Sequence, residues 1–193
     1  MGKGTGGLVS VESSLHDRVS RALGDLGLHP ASPAGLEAGH QLAARLIGPG
    51  ITPLETLRTV QRHCGLAAFV RHEDDALVGV FVFLLLNRRG LAAVLADDFD
   101  GLAPRLDYLA VPAEAPSAYY GWGFAATTPQ ARAAVVAGAD VLRREVLTDL
   151  PFFCRAATAA GRRAVTLKLG YRDLPGSRSG ILWAPPAGGR RAA

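Results

Sequence analysis

The amino-acid sequence predicts an α/β fold, an α+β arrangement around a mixed sheet, and three observations carry that prediction. Ala76–Leu86 is a long run of Val, Phe and Leu, too short to cross about 30 Å of hydrocarbon as a helix and suited to a buried strand. Ala118–Ala126 sets Tyr120, Trp122 and Phe124 at alternate positions with Gly121, Gly123 and Ala125 between them, the period of a strand. After residue 126, helical and strand patterns alternate to the end of the chain. The chain has 193 residues, the length of one domain.

The elements follow in order. Residues 1–10 are glycine-rich and predict a disordered start. Residues 11–26 place Leu15, Val19, Ala22, Leu23 and Leu26 on one helical face, and Gly27 with His29-Pro30 ends that helix. Ser32-Pro33 reads as a cap followed by proline in the first turn, opening a helix to Ile47 that Gly48-Pro49-Gly50 breaks. Thr52-Pro53 repeats the signal, and Gly65 closes the third helix after Cys64. Residues 11–65 are thus expected to form N-terminal helices covering one side of a sheet or meeting a dimer partner. Residues 66–72 and 76–86 predict a hairpin about the acidic turn Glu73-Asp74-Asp75. Residues 87–90 turn the chain, 91–96 fit either a helix or an extended piece, and 105–111 predict a strand closed by Pro112. Ala118–Ala126 is expected at the centre of the sheet. Thr128 before Pro129 opens the next helix, and Thr127 with Gln130 also fits a capping box. Residues 152–156 predict a short strand, Thr158 caps a helix to Leu169, and 171–174 and 181–183 predict the last strands. Strand–helix–strand–helix–strand order implies parallel pairing through right-handed crossovers. The core is bounded at 66–184, and 185–193 is read as a tail.

Composition excludes several classes. Apolar residues make up 49% of the chain, a globular rather than a disordered proportion. Cys64 and Cys154 stand alone, with no zinc-ligand spacing, and fit two buried thiols of a cytoplasmic protein. No apolar signal segment occurs in residues 1–7, and no membrane span is expected. The net charge of +4 lies partly at the ends, at Lys3, Arg190 and Arg191, and no basic stripe interleaved with aromatics suggests nucleic acid. The sequence contains neither the Gly-x-Ser-x-Gly elbow of serine hydrolases nor a phosphate-binding P-loop. Asp97, Asp98 and Asp100 cluster without the spacing of a calcium loop, so no metal is predicted.

The segment FFCRAATAAGRRAVTLKLGY, residues 152–171, and the strand–helix from Ala118 to Gly138 resemble the GNAT superfamily of acyl-CoA-dependent N-acyltransferases. The resemblance runs from about Leu66 to Trp183. It implies a V between two splayed strands that holds acetyl-CoA or another acyl-CoA as co-substrate. The diphosphate would sit at the start of the following helix, where unpaired N–H groups and the positive dipole end favour anions. Gly123, Phe124, Ala125, Ala126, Thr127, Thr128 and Arg132 would then form the donor site. Tyr120 would reach the acyl centre, and Asp107, read as a strand carboxylate, would take the proton from an amine of a small molecule or protein. Three departures stand beside this. The Gln/Arg that usually leads the family's glycine loop is absent before Gly121-Trp122-Gly123. Thr166 occupies the place of a common Tyr acid, and no first strand precedes the helices. The alternatives are a GNAT-fold ligand-binding or regulatory protein without catalysis, or an interaction protein using its N-terminal helices.

Overall fold

A computed structural model describes residues 14–48 and 50–188. The glycine-rich start, residues 11–13, Pro49 and residues 189–193 lie outside the described residues. The described chain forms six α-helices and a seven-stranded mixed sheet.

Helix α1, Leu15–Gly24, starts at a capping box in which the Ser14 hydroxyl accepts the Asp17 N–H and Asp17 reaches back to Ser14. Strand β1, His29–Pro30, follows and pairs with Phe69 and Val70. The sequence reading expects only a helix end here. The proline is tolerated because β1 lies at the sheet edge. Helix α2, Pro33–Ile47, is capped by Ser32 as the sequence predicts. Helix α3, Leu54–Cys64, starts one residue later than expected: Pro53 is the cap residue, and the Thr52 hydroxyl is used elsewhere.

Strands β2, Ala68–Glu73, and β3, Ala76–Leu86, form the expected hairpin. Asp74 and Asp75 both adopt positive φ, +48° and +64°, as a two-residue hairpin turn demands. Helix α4, Arg88–Leu95, resolves the open assignment at 91–96, and Asn87 caps it. Residues 105–111 are not a strand. Leu106–Tyr108 form a single 3₁₀ turn, and Leu109 makes only an isolated bridge to Leu86.

Strand β4, Ala118–Ala126, is the fourth of seven in the order β1-β2-β3-β4-β5-β7-β6 and so is central, as expected. Helix α5, Pro129–Val141, packs on it and widens into a π turn, Leu142–Val146, beside α1. Strand β5, Phe152–Arg155, pairs parallel to β4. Helix α6, Ala159–Leu169, then leads to β6, Arg172–Asp173, at the far edge. Strand β7, Ile181–Ala184, returns between β5 and β6, antiparallel to both. The β4–β5 pair is therefore the parallel one, and the second expected crossover does not pair its strands. Residues 185–188 stay docked, with the Gly188 N–H donating to the Thr148 carbonyl at 2.8 Å.

The N-terminal helices divide between the two faces of the sheet instead of covering one. Helix α1 joins α5 and α6 over a core of Phe69, Phe81, Phe83, Tyr119 and Phe152. Helices α2, α3 and α4 cover the opposite face, over Val70, Val80, Val82, Leu84 and Leu86. Gly138 permits the tight fit on the first face: a Cβ there would stand 3.0 Å from Leu23 and 3.2 Å from Leu28. Phe83, Tyr119 and Phe152 stack across three strands with centroids 5.3 and 4.1 Å apart.

The Tyr119 hydroxyl is buried without a hydrogen-bond partner among the described residues. A buried unpaired hydroxyl forfeits its hydration, so Tyr119→Phe is expected to raise stability by about 1 kcal/mol in denaturant melts. A comparable loss would mean that the hydroxyl is satisfied.

Candidate functional site

The site arises where β4 and β5 part. The two strands pair only through Tyr119–Phe152, Tyr120–Phe153 and Gly121–Cys154. Beyond those pairs β4 continues through 122–126 along β3, while β5 ends at Arg155 and turns into α6. The gap opens into a cavity of about 380 Å³, a volume usual for small-molecule sites. A smaller hollow of about 100 Å³, lined by Gly121, Phe124 and Cys154, continues it toward α6.

A bulge shapes the wall. Val82 pairs with Gly123 and Phe83 with Gly121, so Trp122 is the extra residue of β4. Such an insertion breaks the two-residue alternation. Tyr120 and Trp122 pack with the core on the α2–α4 face, whereas Phe124 stacks on Phe81 at 4.6 Å on the opposite face. Gly121 and Gly123, which strict alternation sets on one face, therefore do not share a face. Gly121 lies under the Phe124 ring, its Cβ position 3.1 Å away, whereas Gly123 lines the cavity with only Val82 within 4 Å of its Cβ position.

A chain of polar contacts closes the cavity at the α2–α3 turn. His40 Nε2 stands 2.9 Å from the Thr52 carbonyl oxygen. A carbonyl only accepts, so Nε2 carries the proton and Nδ1 is the lone-pair nitrogen of the neutral ring. The Thr52 hydroxyl donates to the Gly101 carbonyl at 3.2 Å, and the Trp122 indole N–H donates to the same oxygen. Tyr120 stands beside this point, its Oη 3.2 Å from where a Gly101 Cβ would lie. Burial pushes the Tyr120 phenol above its ordinary range, so it stays protonated at neutral pH. Among the described lining residues, His40, Thr52, Tyr120, Trp122 and Arg155 carry the polar side-chain atoms.

The expected donor residues are distributed unevenly around this cleft. Gly123 lines it, and Phe124 lines the smaller hollow. Ala125 and Ala126 pair with Val80 and Gly79 on the β3 side. Thr127 is tied to the Val78 carbonyl. Thr128 caps α5 by accepting the Ala131 N–H at 3.0 Å, as predicted, but its own hydroxyl donates to the Glu73 carboxylate at 3.3 Å. Pro129 has no N–H, and the Arg132 N–H is bound to the Thr128 carbonyl, so Gln130 supplies the remaining first-turn donor. Arg132 curls back over the Ala126 and Thr127 carbonyls and puts a guanidinium beside the helix start.

Asp107 is not at the cleft. It sits in the 3₁₀ turn on the surface, paired with Arg105 at 3.0 Å and Arg89 at 3.1 Å. The hydrogen bond from Arg105 holds its carboxyl below the usual carboxylate range, against the requirements of a proton acceptor. Thr166 donates to the Arg162 carbonyl within α6. His40 is the residue the sequence reading passed over. A lone histidine on a helix gives no local signal, because its partner lies 12 residues on.

The acidic loop has a structural explanation. The Asp97 carboxylate accepts hydrogen bonds from the Ser177 and Ser179 hydroxyls and the Arg178 and Ser179 N–H groups. Among the described residues no group of three or more His, Cys, Asp or Glu is arranged to hold a metal ion. Those donors, the Ser179 hydroxyl first, hold the Asp97 pKa far below the usual carboxylate value. A depressed folded-state pKa makes the stabilisation complete above the ordinary carboxylate range and loses it only as pH falls through the depressed value. The Ser179 amide resonance is therefore expected to hold its position through pH 3.9, about the unperturbed aspartate pKa, and to move only in stronger acid. A midpoint at the ordinary value would disprove the arrangement.

Cys64 and Cys154 are both free and buried. Burial pushes the thiols up to about 11 and about 12, which leaves both unreactive near neutrality. Among the described residues no helix is long and apolar enough to cross a membrane. No protein-family model matches this chain, and no curated protein is significantly similar to it.

Proposed function

We propose that the chain is an acyl-CoA-dependent N-acyltransferase of GNAT-like fold, with the acyl thioester in the β4–β5 cleft and the amine in the cavity under α2. The observation that carries this reading is the divergence of one parallel strand pair after Gly121 and Cys154 in an otherwise antiparallel sheet. A flat pantetheine arm suits the Gly123 wall, where no side chain intervenes. Arg132 and the Gln130 N–H would face the diphosphate.

The chemistry follows from the lining. The neutral amine attacks the thioester carbonyl carbon, the C–S bond breaks, and coenzyme A leaves as thiolate. His40 Nδ1 takes the amine proton, with the Thr52 carbonyl holding the ring. The Tyr120 phenol, which burial keeps protonated, donates a hydrogen bond to the thiolate and retains its proton, while the thiolate takes a proton from solvent and His40 releases its own to solvent. In this scheme His40 replaces Asp107 as the base, and Tyr120 keeps its place at the acyl centre.

One observation favours a second reading, a binding protein without transfer. The Glu73 carboxylate against Thr128 places negative charge where the diphosphate would sit. Calorimetry with CoA and an acetyl-CoA release assay over a panel of amines separate the two. Binding with thiol release supports transfer, and binding without release over the panel supports the second reading. No binding at millimolar CoA removes transfer and leaves the second reading, for a ligand other than CoA.

A further inference from the structure

We propose that the cavity under α2 binds a small organic anion with an apolar body, its charged end at Arg155. This inference concerns the α2 side of the cleft and does not depend on acyl transfer. The body of the cavity is apolar, formed by Ile47, Ile51, Leu57, Val82, Leu102 and Trp122. Among the described lining residues Arg155 is the one with a permanent charge, and no Asp or Glu is among them. The eight ion pairs among the described residues leave Arg155 out. Its Cα is held at the cavity rim by the register of β5 against Ile181.

The other titratable groups are consistent with an anion. His40 and Tyr120 line the same space and bring no negative charge to it at neutral pH. The charges of Arg155 and Asp100 both reach the Tyr120 phenol, but Asp100 accepts the Leu102 N–H at 2.8 Å and does not line the cavity. A cationic ligand would therefore enter a space with an arginine and no carboxylate to meet it, so an acceptor amine seated here would be the neutral amine of a molecule whose anionic group lies at Arg155. An anion gains a charge-assisted, two-pronged contact with the guanidinium, while its apolar body displaces water from the walls.

The test uses three probes of one shape: 3-phenylpropionate, 3-phenylpropanol and 3-phenylpropylamine. Each is titrated calorimetrically into the full chain and into its Arg155→Gln and Arg155→Lys variants. The carboxylate is expected to bind at least about 10-fold tighter than the amine, to lose about 10-fold in Arg155→Gln, and to lose less than that in Arg155→Lys, which keeps the charge but not the fork. Thermal melts check that the variants fold, which the surface position of the side chain favours. Equal or tighter binding of the amine, unchanged carboxylate binding in Arg155→Gln, or no carboxylate binding at 10 mM or so would each overturn the inference. CoA is titrated separately. CoA binding without carboxylate binding leaves the acyltransferase reading standing and removes this one, and the converse result does the reverse.

Discussion

Gly123→Val is expected to weaken CoA binding by about 100-fold, close to 2.8 kcal/mol, while the protein stays folded. The two halves of that result have separate causes. Folding is spared because a Cβ at 123 would stand 3.9 Å from the Val82 Cβ, an ordinary contact, and because valine suits a strand better than glycine does. Binding is lost because the two added methyl groups have the cavity beside them, where the pantetheine arm would lie against β4. Calorimetry measures the affinity, and a thermal melt at or above that of wild type shows the fold intact. Gly121→Val is not an equivalent probe. Its Cβ position is already crowded by Phe124, Cys154 and Tyr119, so it would perturb the core first. If the position-123 variant folds and binds CoA as wild type does, the arm does not run along β4.

The features legible in the sequence are those set by neighbouring residues. Ser32-Pro33, Thr128-Pro129 and Thr158 each mark a helix start because a side-chain oxygen within three residues satisfies a backbone N–H. The β2–β3 hairpin was readable for the same reason, its acidic turn lying between two apolar runs. What escaped depends on distant partners. The bulge at Trp122 exists only in the register of β4 against β3, and it exchanges the faces that simple alternation assigns to Phe124 and Gly123. Residues 105–111 alternate like a strand, yet Arg105 and Asp107 bond each other two residues apart and the chain turns. Strand β1 has two residues and gains its identity only from Phe69 and Val70. The β4–β5 opening is legible only through the resemblance, and no local signal in the sequence marks the cavity wall supplied by α2 and Gly101.

His40→Gln is expected to have the largest effect on turnover, lowering kcat by about 100-fold or more while leaving CoA affinity within about twofold of wild type. The Thr52 carbonyl fixes the proton on Nε2, so Nδ1 is the atom able to accept one, and His40 lines the cavity assigned to the amine. Glutamine can still donate an amide N–H toward Thr52 and thus preserve the α2–α3 turn, but it offers no basic nitrogen. A purely structural role for His40 would show instead as a lower melting temperature with turnover retained. The transfer assay is therefore run with the amine saturating, on wild type and on His40→Gln with and without added imidazole. Rescue of the rate by added imidazole would place the missing function at the ring nitrogen itself. A variant that keeps wild-type kcat would remove His40 from the chemistry and leave the cavity as a binding site alone.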